Sequence, residues 1–568
     1  MKSNFLFTMK KSLLCVPFSK LLMWSSTFLF PFFFLLVFFF LLNCSYISFF
    51  FNWGIFLMEC EISSFFFIDM LSVFFIIIVS VVSLAVLFYS LNYMGTFLMK
   101  KKFILSLSLF VLSMFLLVLS SDLFWIMVGW DGLGLTSLYL IMFFQNWKSF
   151  NSSMITFILN RLGDSFILIS LIWSLSIGLS KSFSLNSSFF FFFLLIGALS
   201  KSAQFPFSAW LPLAMAAPTP VSSLVHSSTL VTAGIYLMIR FNSFFNEWQM
   251  NVVFLISSIS IFLAGVSSIG EYDLKKIIAL STLSHIGMMV MFVSSGFFLS
   301  ALVHMFTHAM FKSLLFMISG ILIHNFQNNQ DIRNIGFNSF DFMSGVSFVV
   351  SLMSMIGIPF FSGFFSKEFF LMISSSSNKF VLFFMFLFSA SITASYSIRM
   401  MSHLFSGEGM SFFVFHYNSG SVFFFMSLMA LLSGSMVVSL SEFSMFELGY
   451  SLMFINMKAK IFIFLILGIS LGFLFSFIQG NLPFWLIKWA NSMWFIHSFT
   501  HFHQRFLFGV SFSLWSKYDS KGMLDQLFFS YKKISWVFSL SSFKLFVPSS
   551  LFLISFPILI ILPVIFFW

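Results

Sequence analysis

Three side chains that can carry protons, His304, His308 and Lys312, stand four residues apart in the string VHMFTHAMFK, inside an almost wholly apolar stretch from Phe292 to Phe326. Steps of four residues stack side chains on one helical face. An ionisable group placed in hydrocarbon costs several kcal/mol even on the gentler insertion scales. Three of them aligned therefore point to a polar path inside a membrane bundle.

The composition requires that membrane. Of 568 residues, 60% are hydrophobic and 8% charged, and the mean hydropathy is +1.04. A soluble protein of this size needs more polar surface than that. The 97 Phe and 36 Met suit the T-rich codons of a small, biased organelle genome. The net charge of +11 comes from Lys and Arg scattered singly between apolar runs, with no basic tract. Charge at loop ends is expected, and a nucleic-acid partner is not. Cys15, Cys44 and Cys60 form no C-x-x-C pair and neighbour no histidine cluster, so no iron-sulfur, zinc or disulfide framework is expected. No strand is evident and no glycine-rich dinucleotide fingerprint follows one. Whatever redox chemistry the chain serves, its cofactor is expected elsewhere.

The pattern predicts an all-α polytopic protein of about 14 to 16 transmembrane helices. Apolar segments of roughly 20 residues, long enough to span, lie near 22–42, 66–92, 103–120, 122–144, 152–179, 188–210, 219–240, 252–270, 274–296, 298–323, 342–364, 379–400, 421–440, 461–479 and 549–567. Lys2, Lys10, Lys11 and Lys20 precede the first, FLFPFFFLLVFFFLL. The run is long and no A-x-A site follows, so it reads as a spanning helix and not as a cleaved signal. The expected divisions are N-terminal helices over 1–120, a first half over 121–250, a second half over 251–400, further helices over 401–500, an amphipathic region over 501–548 and a terminal anchor over 549–568.

Two segments are interrupted alike. Lys201 precedes Pro206, Pro212, Pro218 and Pro220, and Lys367 follows Pro359 and Gly363. Proline removes a backbone donor and clashes with the preceding turn, so each segment is expected to be a broken helix. Irregular backbone at membrane depth is tolerated where protein or a water-filled cavity satisfies it. One lysine beside a break in each half suggests two inverted repeats of about five helices, as in transporters built from repeats.

Other polar groups fall inside apolar helices. Asp131 lies in GWDGLGL, where Gly129, Gly132 and Gly134 let a neighbouring helix approach and favour pairing with a nearby cation. Arg161 and Asp164 in NRLGD are spaced to neutralise each other, and they read equally well as a functional or a structural pair. Lys201 is the best candidate for a switch, because a buried lysine's proton affinity follows the position of a partner carboxylate. His226 follows the proline cluster among Ser222, Ser223, Ser227 and Ser228 and is read as functional. Lys275 and Lys276 open a helix where the dipole disfavours cations, so one faces a loop and the other requires a role.

The strings GWDGLGL, NRLGD, SKSAQFPFSAWLPLAMAAPTPVSSLVHSSTLVTAGIYL, YDLKKIIALSTLSHIGMM, HMFTHAMFKSLLFMISG and IPFFSGFFSKE resemble, in order and spacing over about residues 65–400, the antiporter-like membrane subunits of proton-translocating NADH:quinone oxidoreductase, complex I. The resemblance implies that Asp131 stands where the family has a carboxylate, usually glutamate, paired with the broken-helix lysine, here Lys201. Aspartate is one methylene shorter. His226 matches the relay histidine, Lys275 a further lysine of the conducting axis, Lys312 the central lysine of the second half with His304 and His308 on its face, and Lys367 the terminal lysine. Glu368 joins the proton-transfer set, and Arg161 and Asp164 fit the pattern as support.

The resemblance also implies a place in the mitochondrial inner membrane beside other membrane-arm subunits and lipid. NADH, FMN, iron-sulfur clusters and ubiquinone would be held elsewhere in the complex, with none on this chain. An interfacial helix near 520–546, with Lys521, Lys532, Lys533 and Lys544 for its polar side, is expected from the residues. Its lateral course along neighbouring subunits before a final anchor is implied by the resemblance alone.

A mechanism follows as an expectation. Four-residue steps rise about 6 Å while a hydrogen bond needs about 3 Å, so waters must bridge the side chains. Opening the Asp131–Lys201 pair would push the lysine's proton toward His226 and Lys312, and closing it would reload Lys201. The rival classes are a multi-subunit cation/proton antiporter subunit, which would share this axis, and a structural scaffold, which would leave the buried ionisable groups without a purpose.

Overall fold

The computed structural model describes residues 53–57, 60–64, 69–95, 99–120, 122–176, 188–326, 328–335, 342–358, 361–368, 380–406 and 424–436. The spans expected near 22–42, 461–479 and 549–567, the lateral helix and the terminal anchor lie outside them. A two-stranded antiparallel hairpin, β1 (Trp53–Leu57) and β2 (Cys60–Ser64), sets Ile55 opposite Ile62. It corrects the expectation that no strand is present. Five-residue strands are too short to establish a period-two pattern.

The remaining elements are helices: α1 (Met70–Tyr93), α2 (Lys100–Leu119), α3 (Leu123–Ile141), α4 (Trp147–Ser176), α5 (Ser188–Lys201), α6 (Thr219–Arg240), α7 (Glu247–Gly270), α8 (Leu274–Ser294), α9 (Phe298–Asn325), α10 (Phe342–Ile356), α11 (362–368), α12 (Phe380–Ser406) and α13 (Phe424–Met436). Among the described residues, nine helices are long and apolar enough to cross a bilayer. Polar caps place their ends: the Asn246 and Gln249 side chains close a capping box at the start of α7, and Asp69 does so with Ser72 at α1.

Both interrupted segments are broken helices. α5 has 14 residues and α10 has 15, against the roughly 20 that a span requires. The chain passes from α5 through short turns over Phe207–Ala216 into α6, whose first part, Ser222–Thr229, is a π-helix. After α10, Gly357 takes φ +86°, a left-handed turn that glycine adopts without strain, and α11 follows.

The interior lies on α6, α8 and α9. Their membrane-spanning stretches are 100%, 94% and 94% buried, against 39% for α4, so these three helices are enclosed by the others. The π-helical part of α6 packs on α9, α8 packs on α7 and α9, and α12 packs on α7, α8 and α10. The α4–α5 crossing depends on small residues. A Cβ at Gly163 would stand 1.7 Å from Ser200 Oγ, and one at Gly197 would stand 2.3 Å from Ile167 Cγ1. That close approach brings the residues after these contacts, Asp164 and Lys201, onto facing helices.

Candidate functional site

Lys201 is the last residue of α5, where the helix dipole favours a cation. It is fully buried. Its Nζ donates to the Trp130 carbonyl oxygen at 2.7 Å and lies 3.8 Å from the centroid of the Trp130 ring, so a carbonyl and an aromatic face hold the ammonium. The same indole donates from Nε1 to Asp164 Oδ1 at 2.6 Å. Trp130 thus joins the lysine to a buried carboxylate.

Asp131 does not pair with Lys201. Its Oδ1 accepts from Arg161 Nη1 at 2.9 Å, and its side chain is 43% exposed. One residue along a helix turns the side chain by about 100°, so with Trp130 facing Lys201, Asp131 faces α4 and the periphery. Arg161 Nη1 also lies 3.4 Å from Asp164 Oδ2, so one guanidinium bridges both carboxylates. The shorter reach of aspartate is not the reason for the difference; the rotation along α3 is.

His226 sits in the π-helix, fully buried, its ring 6.1 Å from that of Trp210. Neither of its ring nitrogens, nor either of those on His308, has a hydrogen-bond partner among the described residues. Lys275 is buried and donates to the Ala217 carbonyl at 3.3 Å, at the break before α6. Its neighbour Lys276 pairs instead with Asp273 at 2.6 Å on the partly exposed side. The two lysines divide into one interior and one loop-facing group.

The second cluster gathers α8, α9, α10, α11 and α12. His304 Nε2 lies 3.1 Å from His285 Nδ1, and its Nδ1 lies 2.9 Å from Ser366 Oγ. The His308 ring is 5.5 Å from that of His285 and 6.4 Å from that of His304. Lys312 Nζ donates to Ser281 Oγ at 2.6 Å and touches Met355 Sδ at 2.9 Å. Lys367 Nζ donates to the carbonyls of Met355 at 2.7 Å and Ile356 at 3.1 Å, and to Thr393 Oγ1 at 3.2 Å. Those carbonyls are the orphans at the end of α10, so the broken helix supplies the dipole that accommodates the charge. Glu368 follows at the end of α11, half-buried. Among the described residues no group of His, Cys, Asp and Glu is arranged to hold a metal ion.

Trp130, Ser281, His285, Met355, Ser366 and Thr393 join the site only in the folded chain. Ser281 and His285 carry a readable signal, since they stand four apart on one face of α8. The others depend on which helix lies opposite. At the membrane face, burial pushes the Glu271 carboxyl up, opposed by the Lys276 charge.

Known proteins bear on this arrangement. The family described as NADH:quinone oxidoreductase/Mrp antiporter, TM, matches residues 120–393. The chain is similar to NADH-ubiquinone oxidoreductase chain 5 of Anopheles quadrimaculatus, 41% identical over 453 residues that cover 75% of this chain and 78% of that one. The chain belongs to the NADH-ubiquinone oxidoreductase chain 5 family. The protein of that name from Aedes aegypti is 41% identical over 458 residues, covering 75% of this chain and 77% of that one. A solved chain of the Mrp complex from Dietzia sp. DQ12-45-1b superposes with TM-score 0.73 at 22% identity, over 88% of this chain and 58% of that one, and so shares the fold. The expected family and its polytopic helical architecture are thereby borne out.

Proposed function

We propose that the chain is a proton-translocating membrane subunit of NADH:ubiquinone oxidoreductase in the mitochondrial inner membrane, driven by electron transfer held on other subunits. The observation that carries this reading is the set of buried ionisable residues Lys201, His226, Lys275, His285, His304, His308, Lys312 and Lys367. All lie in the interior of the helical core, and the lysines among them contact hydroxyls, carbonyls, sulfur and an aromatic face. Buried charges are ordinarily paired with opposite charge. Groups kept polar but without such a pair are suited to gain and lose protons.

Trp130, Asp164 and Arg161 form the control element. With Arg161 held between Asp131 and Asp164, the buried carboxylate is partly neutralised. When Arg161 moves to Asp131 alone, Asp164 attracts the Lys201 proton more strongly; when it moves back, the lysine releases the proton toward His226. At an effective dielectric near 20 and a separation of several ångströms, such coupling is on the order of 2 to 4 kcal/mol, comparable with about 2.3 kcal/mol per 100 mV for a unit charge crossing the membrane. The control element is strong enough to gate. Bridging waters carry the proton between side chains that do not touch, and Lys312 and Lys367 pass it along the second cluster. NADH, FMN, iron-sulfur clusters and ubiquinone belong to other subunits in this reading.

The half-exposed Asp131–Arg161 pair lies near the middle of α3 and α4. Its exposure to lipid would be costly, which supports a neighbouring membrane-arm subunit against this face. The cation/proton antiporter alternative lacks such support, since the relatives matched over three-quarters of the chain carry the oxidoreductase name. Replacement of Lys201 by alanine in a genetically tractable homologue tests the proposal. Proton pumping by the assembled complex should collapse while NADH oxidation by a soluble acceptor continues; unchanged pumping rejects the role of the lysine.

A further inference from the structure

The interior clusters must reach water, and a candidate route lies on α12, a helix to which the sequence reading assigned no functional residue. Thr393, Tyr396 and His403 stand at i, i+3 and i+10, which places them along one side of the helix. Thr393 receives the Lys367 ammonium. Tyr396 is buried, and its hydroxyl lies 3.2 Å from Ser284 Oγ on α8. Tyr396 and His403 line one narrow pocket together with Ser268, Ile332, Arg399 and Met400.

The pocket sits at a membrane face. Ile332 belongs to the connection after α9 that pairs with the start of α8, through Ile332 N to the Tyr272 carbonyl at 3.0 Å and Leu274 N to the Gln330 carbonyl at 3.0 Å. Arg399 fixes the wall by donating to the carbonyls of Ile269 and of Glu271, the latter at 2.9 Å, at the end of α7. Ser284 lies ten residues into α8, hence about 15 Å deep, about half the 30 Å hydrocarbon thickness. Tyr396 therefore stands between a pocket at the face and the polar groups at mid-depth. Ser281, one turn nearer the face than Ser284 on α8, accepts from Lys312.

We propose that Tyr396 is a relay and gate on a proton-access branch running from the Arg399–His403 pocket through Ser284 to the Lys312 and Lys367 cluster. A phenol hydroxyl passes a proton by releasing its own to one neighbour as it takes another from the opposite side, so the step leaves no net charge. The pocket is too tight in this conformation for a water to sit freely, so rotation of the Tyr396 ring opens the branch. The proposal rests on the proton-translocating reading.

The test uses the assembled complex in proteoliposomes and compares Tyr396→Phe, Ser284→Ala and Lys201→Ala with the parent. Tyr396→Phe keeps the ring and removes the hydroxyl. The expected result is a loss of protons pumped per NADH oxidised in Tyr396→Phe and in Ser284→Ala, with thermal stability and NADH oxidation by a soluble acceptor unchanged. If Tyr396→Phe does not assemble, Ser284→Ala decides. Parental pumping in both variants, with Lys201→Ala impaired, overturns the branch and leaves the wider reading intact. Parental pumping in all three overturns the wider reading and the branch with it.

Discussion

The two helix breaks each bury a lysine against backbone carbonyls of a neighbouring helix, in different surroundings. Lys201 ends its own helix but gives its ammonium to the Trp130 carbonyl within α3, whereas Lys367 docks on the carbonyls that end α10. Around Lys201 stand Trp130, Asp164, Arg161 and Asp131, a set of charges of both signs linked by one indole and one guanidinium. Around Lys312 and Lys367 stand histidines, hydroxyls, carbonyls and Met355. A site with movable opposite charges can change the proton affinity of its lysine by several kcal/mol. A site made of neutral donors and acceptors passes protons without a large change in field. The comparison assigns control to the first break and conduction to the second.

The largest expected effect is at the first break. Lys201→Ala should lower coupled proton transfer at least tenfold, about 1.4 kcal/mol on the barrier, measured as the initial rate of acidification in proteoliposomes. Next comes the comparison of carboxylates. Asp164→Asn should slow pumping by roughly tenfold and Asp131→Asn by only about two- to threefold, because the field of a buried charge is less screened than that of a half-exposed one. An equal effect of the two, or a larger one for Asp131, would break the assignment of Asp164 as the control carboxylate.

In the second cluster, His285→Gln keeps a hydrogen-bonding side chain but cannot carry a proton. It should slow pumping roughly threefold to tenfold, a small part of what a positioned acid–base group contributes, whereas His285→Phe should also lower stability. A variant with the parental rate would remove His285 from the relay. The smallest functional effect is expected from Gly163→Ala. Its Cβ would stand 1.7 Å from Ser200 Oγ, and overpacking of this kind costs about 1 to 3 kcal/mol. It should appear as reduced thermal stability of the assembled complex and, through the displaced Asp164, as a secondary loss of pumping.

Much of this was legible in the chain. The face of α9 was readable because four-residue spacing leaves a helix no choice about where His304, His308 and Lys312 lie relative to one another. The breaks were readable because proline cannot continue a helix ladder and only certain environments tolerate it. The division of Lys275 from Lys276 followed from adjacency alone, since neighbours on a helix cannot face the same way. The strands at 53–57 and 60–64 were missed because five residues each are too few to establish a period-two pattern.

What the residues could not decide was partnership across helices. Asp131 and Asp164 are both carboxylates in glycine-containing helices, and nothing in their local spacing says which one stands behind Trp130. That depends on the rotation of α3 and on the depth to which Gly163 and Gly197 let α4 and α5 approach. Local sequence determines which groups share a face, because helix geometry is set by the backbone within a few residues. Which faces meet is set by packing over the whole core, and only there were Trp130, His285, Thr393 and Tyr396 brought to the buried lysines and histidines.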